Sequence, residues 1–316
     1  MSEAAGSTCT VVVRDGVVVD ERYWQGATAD TTRQAFSVTK SVTSLLVGIA
    51  QGQGDLSIDD AAADYIPEWV GTPSADVTIR NLLSNDSGRH WDVSTDYREM
   101  AIAAPDKTAF AIGLGQDAPP GTVWAYNNSA VQTLSAVLQA ATGQTPKDYA
   151  QQTIFDPIGM AHTTMGTDRA GNTTTFAGME STCLDLARLG YLMLQGGNWE
   201  GQQIVPADYA AQATGQSSTD LNAAYGFLWW LNQEGPIVSP LIATNATEGP
   251  TVTDSQLLPG APSDIFWALG FQQQMVAVIP SEGIVAVRMG PKPPDGVSFA
   301  QAEFTQGVLD AVVPGS

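Results

Sequence analysis

Positive charge is what this 316-residue sequence has least of: 13 lysines and arginines stand against 33 aspartates and glutamates, a formal net charge of −20. A surface so acidic repels phosphate backbones and anionic lipid, so neither nucleic acid nor a membrane surface is an expected partner. Histidine is limited to His90 and His162, and cysteine to Cys9 and Cys183. No His/Cys cluster at ligand spacing exists, and neither a metal site nor a cofactor is expected. The sequence has no Gly-x-Ser-x-Gly elbow, no Gly-x-x-x-x-Gly-Lys loop and no dinucleotide fingerprint. Gln51-Gly52-Gln53-Gly54 follows a helical pattern, the wrong context for either glycine-rich motif. No apolar run is long enough to span a membrane. Residues 1–10 lack the basic region and apolar core of an export signal, which leaves a cytoplasmic chain or an exported one whose signal has been removed. The two cysteines show no spacing signal and read as small buried thiols rather than as a disulfide.

What is present describes an ordinary globular protein, with 43% hydrophobic and 8% aromatic residues and length for one large domain or two. Two β-rich runs, Thr10–Arg14 and Val17–Tyr23, flank Asp15-Gly16, a strong hairpin signal. Between about 60 and 190 no clear strand alternation is visible. Helical patterns dominate there, near 77–83, 132–142, 146–154 and from Ser181 to Gly190. Strand patterns return at Tyr225–Leu231, Ile265–Leu269, Gln274–Ile279 and Ile284–Met289, and Phe299–Val313 reads as a final helix. Strands at both ends with helices between predict an α+β fold. In it an antiparallel sheet flanked by helices (1–60 and 190–316) is interrupted by a mainly helical part (61–189), with the site at their interface.

The chemistry concentrates in Phe36–Gln51. Apolar residues at 38, 42, 45, 46, 49 and 50 predict a core helix that starts close to Ser37 and stops at Gly52 and Gly54. Ser37 and Lys40 share one face of its first turn. A lysine among apolar neighbours at the positive end of a helix loses its proton more readily, and a neutral amine can take the proton of a serine beside it. The 21 serines and four lysines of this chain give about 0.27 Ser-x-x-Lys pairs by chance. Context therefore has to decide. Lys107 follows Pro105-Asp106, Lys147 follows Pro146 and Lys292 lies between Pro291 and Pro293, all loop-like settings, and Lys40 alone sits in an apolar helix. His90 and His162 lack any triad context and read as peripheral.

Ser37-x-x-Lys40, followed by Tyr126-x-Asn128 and a late strand carrying Ala268-Leu269-Gly270, resembles the three-motif order of the serine β-lactamase and penicillin-binding-protein superfamily. The tyrosine form of the second motif is similar to the class C β-lactamases and their relatives: family VIII esterases, D-stereospecific peptidases and 6-aminohexanoate-oligomer hydrolases. The resemblance implies a β-lactamase/transpeptidase-like fold and an acyl-enzyme mechanism. In it Ser37 is the nucleophile, and Lys40 and Tyr126 move its proton. Asn128 bonds Lys40 and the substrate's acyl side, and the backbone N–H groups of Ser37 and Phe271 hold the oxyanion. Ala268 and Gly270 complete the third motif, which here offers neither the lysine and threonine usual for β-lactams nor the histidine frequent in esterases. Gln273 stands where related sequences often have glycine. A small ester or linear amide is the expected substrate. The alternatives are a β-lactamase or D,D-peptidase and a non-catalytic penicillin-binding-like protein. Trp91, Trp124, Phe227, Trp229, Trp230 and Trp267 serve either as cleft walls or, more commonly for such residues, as core. Oligomeric state is left open.

Overall fold

The computed structural model describes residues 2–241, 243, 253–297 and 299–312. Its hairpin forms as expected, with β1 (Cys9–Arg14) and β2 (Val17–Tyr23) joined by Asp15 and Gly16 at φ 50° and 79°. Two consecutive left-handed residues match the right-handed twist of the strands they join. β3 (Arg33–Phe36) runs straight into α1 (Val38–Gln53), which passes through Gly52 and ends at Gly54, φ 82°.

α1 is buried on every side from Val38 to Ala50, not only along one stripe. Its hydroxyls are paired with backbone and phenol partners from three distant segments. Ser41 Oγ donates to the Leu228 carbonyl (2.9 Å) and Thr43 Oγ1 to that of Thr175 (2.8 Å), while Ser44 Oγ meets the Tyr209 hydroxyl (3.0 Å). Pairing of this kind lets a helix with polar positions lie in a core without unsatisfied groups.

Helices then follow: α2 (Ile79–Ser84), a π-helical segment at Ser94–Ala103, α3 (Lys107–Gly113), α4 (Asn128–Thr142) and α5 (Pro146–Ala150). A strand does occur in this stretch, contrary to the sequence reading. β4 (Met179–Ser181) pairs antiparallel with β3, and at three residues it is too short to show a period. α6 (Cys183–Leu194), a small hairpin of β5 (Asn198–Trp199) and β6 (Gln202–Gln203), and α7 (Ala207–Thr214) come next.

The expected strand at 225–231 shrinks to β7 (Trp230–Leu231). Leu228 at φ 59° and the Gly226 N–H bonded to the Trp229 carbonyl (2.9 Å) make a tight turn instead. After a second small hairpin, β8 (Gly235–Ile237) and β9 (Thr253–Ser255), come β10 (Phe266–Gly270), β11 (Gln274–Ile279) and β12 (Ile284–Met289). α8 (Gln301–Ala311) closes the chain. The final residue of the helix expected at 299–313 lies outside the described residues.

The main sheet has the order β2-β1-β12-β11-β10-β7, every pair antiparallel. β11 and β12 are buried at every position, so both faces are covered. Register assigns the covers. Val276 and Val285 point to the side of α6, where Gly190 permits a close approach to both. Trp267 points to the side of α8, its indole N–H bonded to Thr305 Oγ1 at 2.9 Å. The fold is α+β, an antiparallel sheet flanked by helices. Among the described residues no helix is long and apolar enough to cross a membrane.

The reading of the cysteines as free thiols is overturned. Cys9 in β1 and Cys183 at the start of α6 form a disulfide, with Cα atoms 6.3 Å apart. Their separation of 174 residues is why no local spacing announces the pair. β1 lies against α6, and that packing brings them together.

Candidate active site

Ser37 caps the N-terminus of α1, but its hydroxyl makes no capping bond to the helix backbone. A serine at this position normally gives its oxygen to the N–H of the second or third helical residue. Here Oγ accepts instead from Lys40, whose Nζ lies 2.9 Å away, and the Tyr126 phenol lies nearby. Phe36, the residue before it, is held at φ 50°, an unfavourable conformation for a non-glycine residue and one that recurs at functional sites.

Lys40 is 1% exposed. Its ammonium donates to Ser37 Oγ, to Asn128 Oδ1 (2.6 Å) and to the Phe176 carbonyl (2.9 Å). Burial pulls its pKa down to about 7, against an opposing pull from the charge of Asp96. Two of its three partners are carbonyl oxygens, which only accept. When Lys40 is neutral, its two remaining N–H bonds go to those carbonyls and its lone pair faces Ser37.

The carbonyl of Asn128 is itself aimed. Asp96, from the π-helical segment, accepts from Asn128 Nδ2 (2.7 Å), from the N–H groups of Asn128 (3.2 Å) and Ser129 (2.7 Å), and from Ser129 Oγ (2.8 Å). A carboxylate at the amide nitrogen forces the amide oxygen toward Lys40. Burial pushes Asp96 up in pKa, but four converging donors and the Lys40 ammonium require it as the anion. Neither Asp96 nor the Phe176 carbonyl was visible in the sequence. One belongs to no motif, and the other is backbone.

Tyr126 lies on the loop that leads into α4, and Asn128 is the first residue of that helix. The Asn85 side chain accepts from the Asn127 N–H (3.2 Å) and its carbonyl from the Ala125 N–H (3.0 Å). Tyr126 stacks on Trp230 (centroids 5.6 Å, planes 28° apart), and its ring centroid lies 4.6 Å from Lys40 Nζ. Burial pushes its phenol well above the ordinary value.

The end of β10 docks beside the nucleophile. A Cβ at Gly270 would overlap the carbonyl oxygen of Ala35, two residues before Ser37, so the close approach needs glycine. Phe271 follows, its ring edge-on to Phe36 at 5.6 Å. Gln272 and Gln273 take φ of 63° and 65°, so Gln273 adopts the left-handed backbone that a glycine would supply. Behind the turn, the fully buried Arg288 donates to the carbonyls of Gln272 (2.7 Å) and Gln273 (3.1 Å), and also to those of Ala5, Gly290 and Pro291. Its charge is spent on backbone and gives the third motif no cation. Ala268 is buried in the core.

Ser37 opens into a cleft of about 680 Å³ lined by Phe36, Tyr97, Ile102, Asn128, Phe176 and Phe271 among others. Of the six aromatics weighed from sequence, Trp124, Phe227, Trp229, Trp230 and Trp267 are core residues and Trp91 is half-buried. The cleft uses other rings. His90 lies between Asp92 (3.1 Å) and Asp117 (2.9 Å), and His162 faces Asp30 at 3.6 Å. Neither histidine lines this cleft. Lys107 does, contrary to its loop-like reading.

Comparison with known proteins bears on the whole arrangement. The family model described as Beta-lactamase matches residues 3–306. Penicillin-binding protein 4 of Amycolatopsis lactamdurans is 30% identical over 136 residues, 42% of this chain and 36% of that one. The 6-aminohexanoate-dimer hydrolase of Paenarthrobacter ureafaciens is 24% identical over 239 residues, 70% of this chain and 61% of that one. This chain thus matches less than two thirds of the length of either relative. A solved structure from Bacillus anthracis, provisionally named a 6-aminohexanoate-dimer hydrolase, superposes with a TM-score of 0.77. It covers 98% of this chain and 79% of its own at 22% identity, a likeness of fold.

Proposed function

This chain belongs to the Beta-lactamase family, and from that premise we propose that it is a serine hydrolase acting through an acyl-enzyme on small esters or linear amides. The observation that carries the reading is the bonding of Lys40. Two carbonyls hold the amine so that its lone pair faces Ser37, at a pKa of about 7.

Lys40 removes the proton from Ser37 Oγ as the oxygen bonds to the carbonyl carbon. Tyr126, kept as a phenol by burial, protonates the leaving group and is restored by the proton that Lys40 took from Ser37, and Asn128 holds Lys40 in place. The N–H groups of Ser37 and Phe271 stabilise the oxyanion, and Gly270 is small enough to let them converge. Water then attacks the acyl-enzyme with the same groups acting in reverse. The sheet-bearing parts (1–60, 190–316) supply Ser37 and Phe271 to the cleft, and the helical part (61–189) supplies Tyr97, Asn128 and Phe176. We take these parts as the two domains, with the site between them.

Esters and linear amides are favoured over β-lactams because Ala268 is apolar and buried, and Arg288 is consumed by carbonyls. The third motif itself thus supplies no cation for a carboxylate beside the scissile bond. One relative is named for hydrolysis of an amide, the 6-aminohexanoate dimer.

The test sets the protein against short-chain 4-nitrophenyl esters, a chromogenic cephalosporin and a linear amino-acid amide dimer. Ester or amide turnover that falls by several orders of magnitude in Ser37→Ala is expected. Cephalosporin turnover outrunning both would reverse the substrate order. Absence of turnover together with absence of serine labelling would leave only a binding protein.

A further inference from the structure

Of the described side chains lining the cleft, one is charged, and it is not part of the Ser37–Lys40 machinery. Lys107, at the start of α3, stands in the same wall as Tyr97, Ala101 and Ile102. Its ammonium has one protein acceptor, the Ala104 carbonyl at 3.0 Å, which leaves two N–H groups for another partner. Among the described residues it belongs to no ion pair.

The nearby acids are occupied. Asp168 accepts from the backbone N–H groups of Lys107 (2.8 Å), Ala170 (3.0 Å) and Asn172 (2.9 Å), and Asp106 from Ala109 N–H (2.8 Å) and Asn172 Nδ2 (2.9 Å). Partial burial pulls the Lys107 pKa down, as expected for a cation drawn from water without a neutralising contact. Asp168 opposes that shift and Arg169 adds to it.

The surroundings are amphiphilic. The two most exposed large apolar side chains of the described residues, Ile102 (77%) and Phe271 (69%), both line this cleft, and the hydroxyls of Thr167 and Thr174 line it with Lys107. In a protein of net charge −20, whose general field repels anions, a lone cation inside an apolar-lipped cleft is a local exception.

We propose that Lys107 is a specificity-determining residue that binds a carboxylate carried by the substrate at a distance from the scissile carbonyl, the intervening chain lying against Ile102 and Phe271. This rests on the acyl-enzyme reading above and sharpens it. The third motif has no cation beside the reacting bond, and the cleft supplies one away from it. The substrate class is an ester or amide whose chain ends in a carboxylate.

The experiment compares 4-nitrophenyl hexanoate with mono-4-nitrophenyl adipate, equal in acyl length and differing in the terminal carboxylate. An N-hexanoyl ω-amino acid, N-hexanoyl-6-aminohexanoate, carries the distant carboxylate on the leaving group instead. The readout is the ratio of kcat/KM between acidic and neutral substrates (the N-hexanoyl alkylamide being the neutral amide), not any single rate. Wild type is expected to prefer an acidic member by about five- to tenfold at low salt, the scale of a partly exposed ion pair. The ratio should fall toward one in Lys107→Met and at 1 M salt, and persist in Lys107→Arg. A wild-type ratio near one for both pairs, or a preference that survives in Lys107→Met, overturns the assignment while leaving the acyl-enzyme reading intact. If neither neutral nor acidic substrate is hydrolysed, the acyl-enzyme reading fails and takes this inference with it.

Discussion

Replacing Asp96 by asparagine tests how the site sets the basicity of Lys40. One amide, that of Asn128, separates the two charges, with Lys40 Nζ 2.6 Å from its oxygen and Asp96 Oδ2 2.7 Å from its nitrogen. The charges are thus at most about 7.5 Å apart and interact by about 2.2 kcal/mol at an effective dielectric of about 20, which is about 1.6 pH units. The sign follows from which form is stabilised. The carboxylate favours the ammonium and raises the Lys40 pKa, so its loss lowers that pKa from about 7. A base that stays neutral to lower pH moves the acid limb of the kcat/KM profile downward, by one to two units on this arithmetic (~1.6 units). The plateau should fall at the same time, by about 10- to 100-fold, because the new amide offers one acceptor oxygen where four donors converge and Asn128 loses its fixed aim. Profiles from pH 4 to 9 with a neutral ester, alongside near-UV circular dichroism to confirm folding, measure both effects. An acid limb that stays near pH 7 or moves upward in a folded variant refutes the reasoning.

Two further substitutions probe the frame around the site. Gly270→Ala pushes a methyl group into the Ala35 carbonyl, which is backbone and cannot turn aside, so β10 must shift from the nucleophile. A loss of about 1–3 kcal/mol in stability is expected, with a drop in kcat of about 100-fold that exceeds any change in KM; wild-type turnover would show that the close approach is not needed. Removing the disulfide in Cys9→Ser/Cys183→Ser frees a ring of 174 residues in the unfolded chain. The chain-entropy relation puts the loss at up to about 5 kcal/mol, read as a lower denaturant midpoint with a steeper slope, since the freed unfolded chain exposes more surface; an unchanged midpoint would contradict it.

The sequence disclosed what is local. Ser37 and Lys40 share one helical turn, Tyr126 and Asn128 one loop, and Asp15-Gly16 one turn, and each carries its geometry in its spacing. What it hid is tertiary. Asp96 reaches Asn128 from 32 positions away, Phe176 contributes only its carbonyl, and Cys9 meets Cys183 across most of the fold. Arg288 could be placed on a strand but not assigned a task, because its partners are five backbone carbonyls, which no side-chain pattern encodes, and the distant Ser7 hydroxyl. Lys107 was misjudged for a related reason. Pro105, two residues before it, speaks for a loop, and only the packed structure shows that Lys107 opens α3 on the border of the cleft.

The bond between Cys9 and Cys183 also gives the molecule a topology that chain order lacks. It closes a macrocycle containing Ser37, Lys40, Asp96, Tyr126, Asn128 and Phe176, while Gly270, Phe271 and Arg288 belong to the open strand that follows. The two stretches are sewn together where β12 pairs along the full length of β1, with Cys9 itself opposite Met289. The clasp of the ring and the seam therefore coincide. Parting the cleft by pulling the open stretch from the ring means unpicking that ladder from its bonded end. The end of β10, with Gly270 and the Phe271 that follows it, is thereby tied, through β11 and β12, to the strand that carries the clasp.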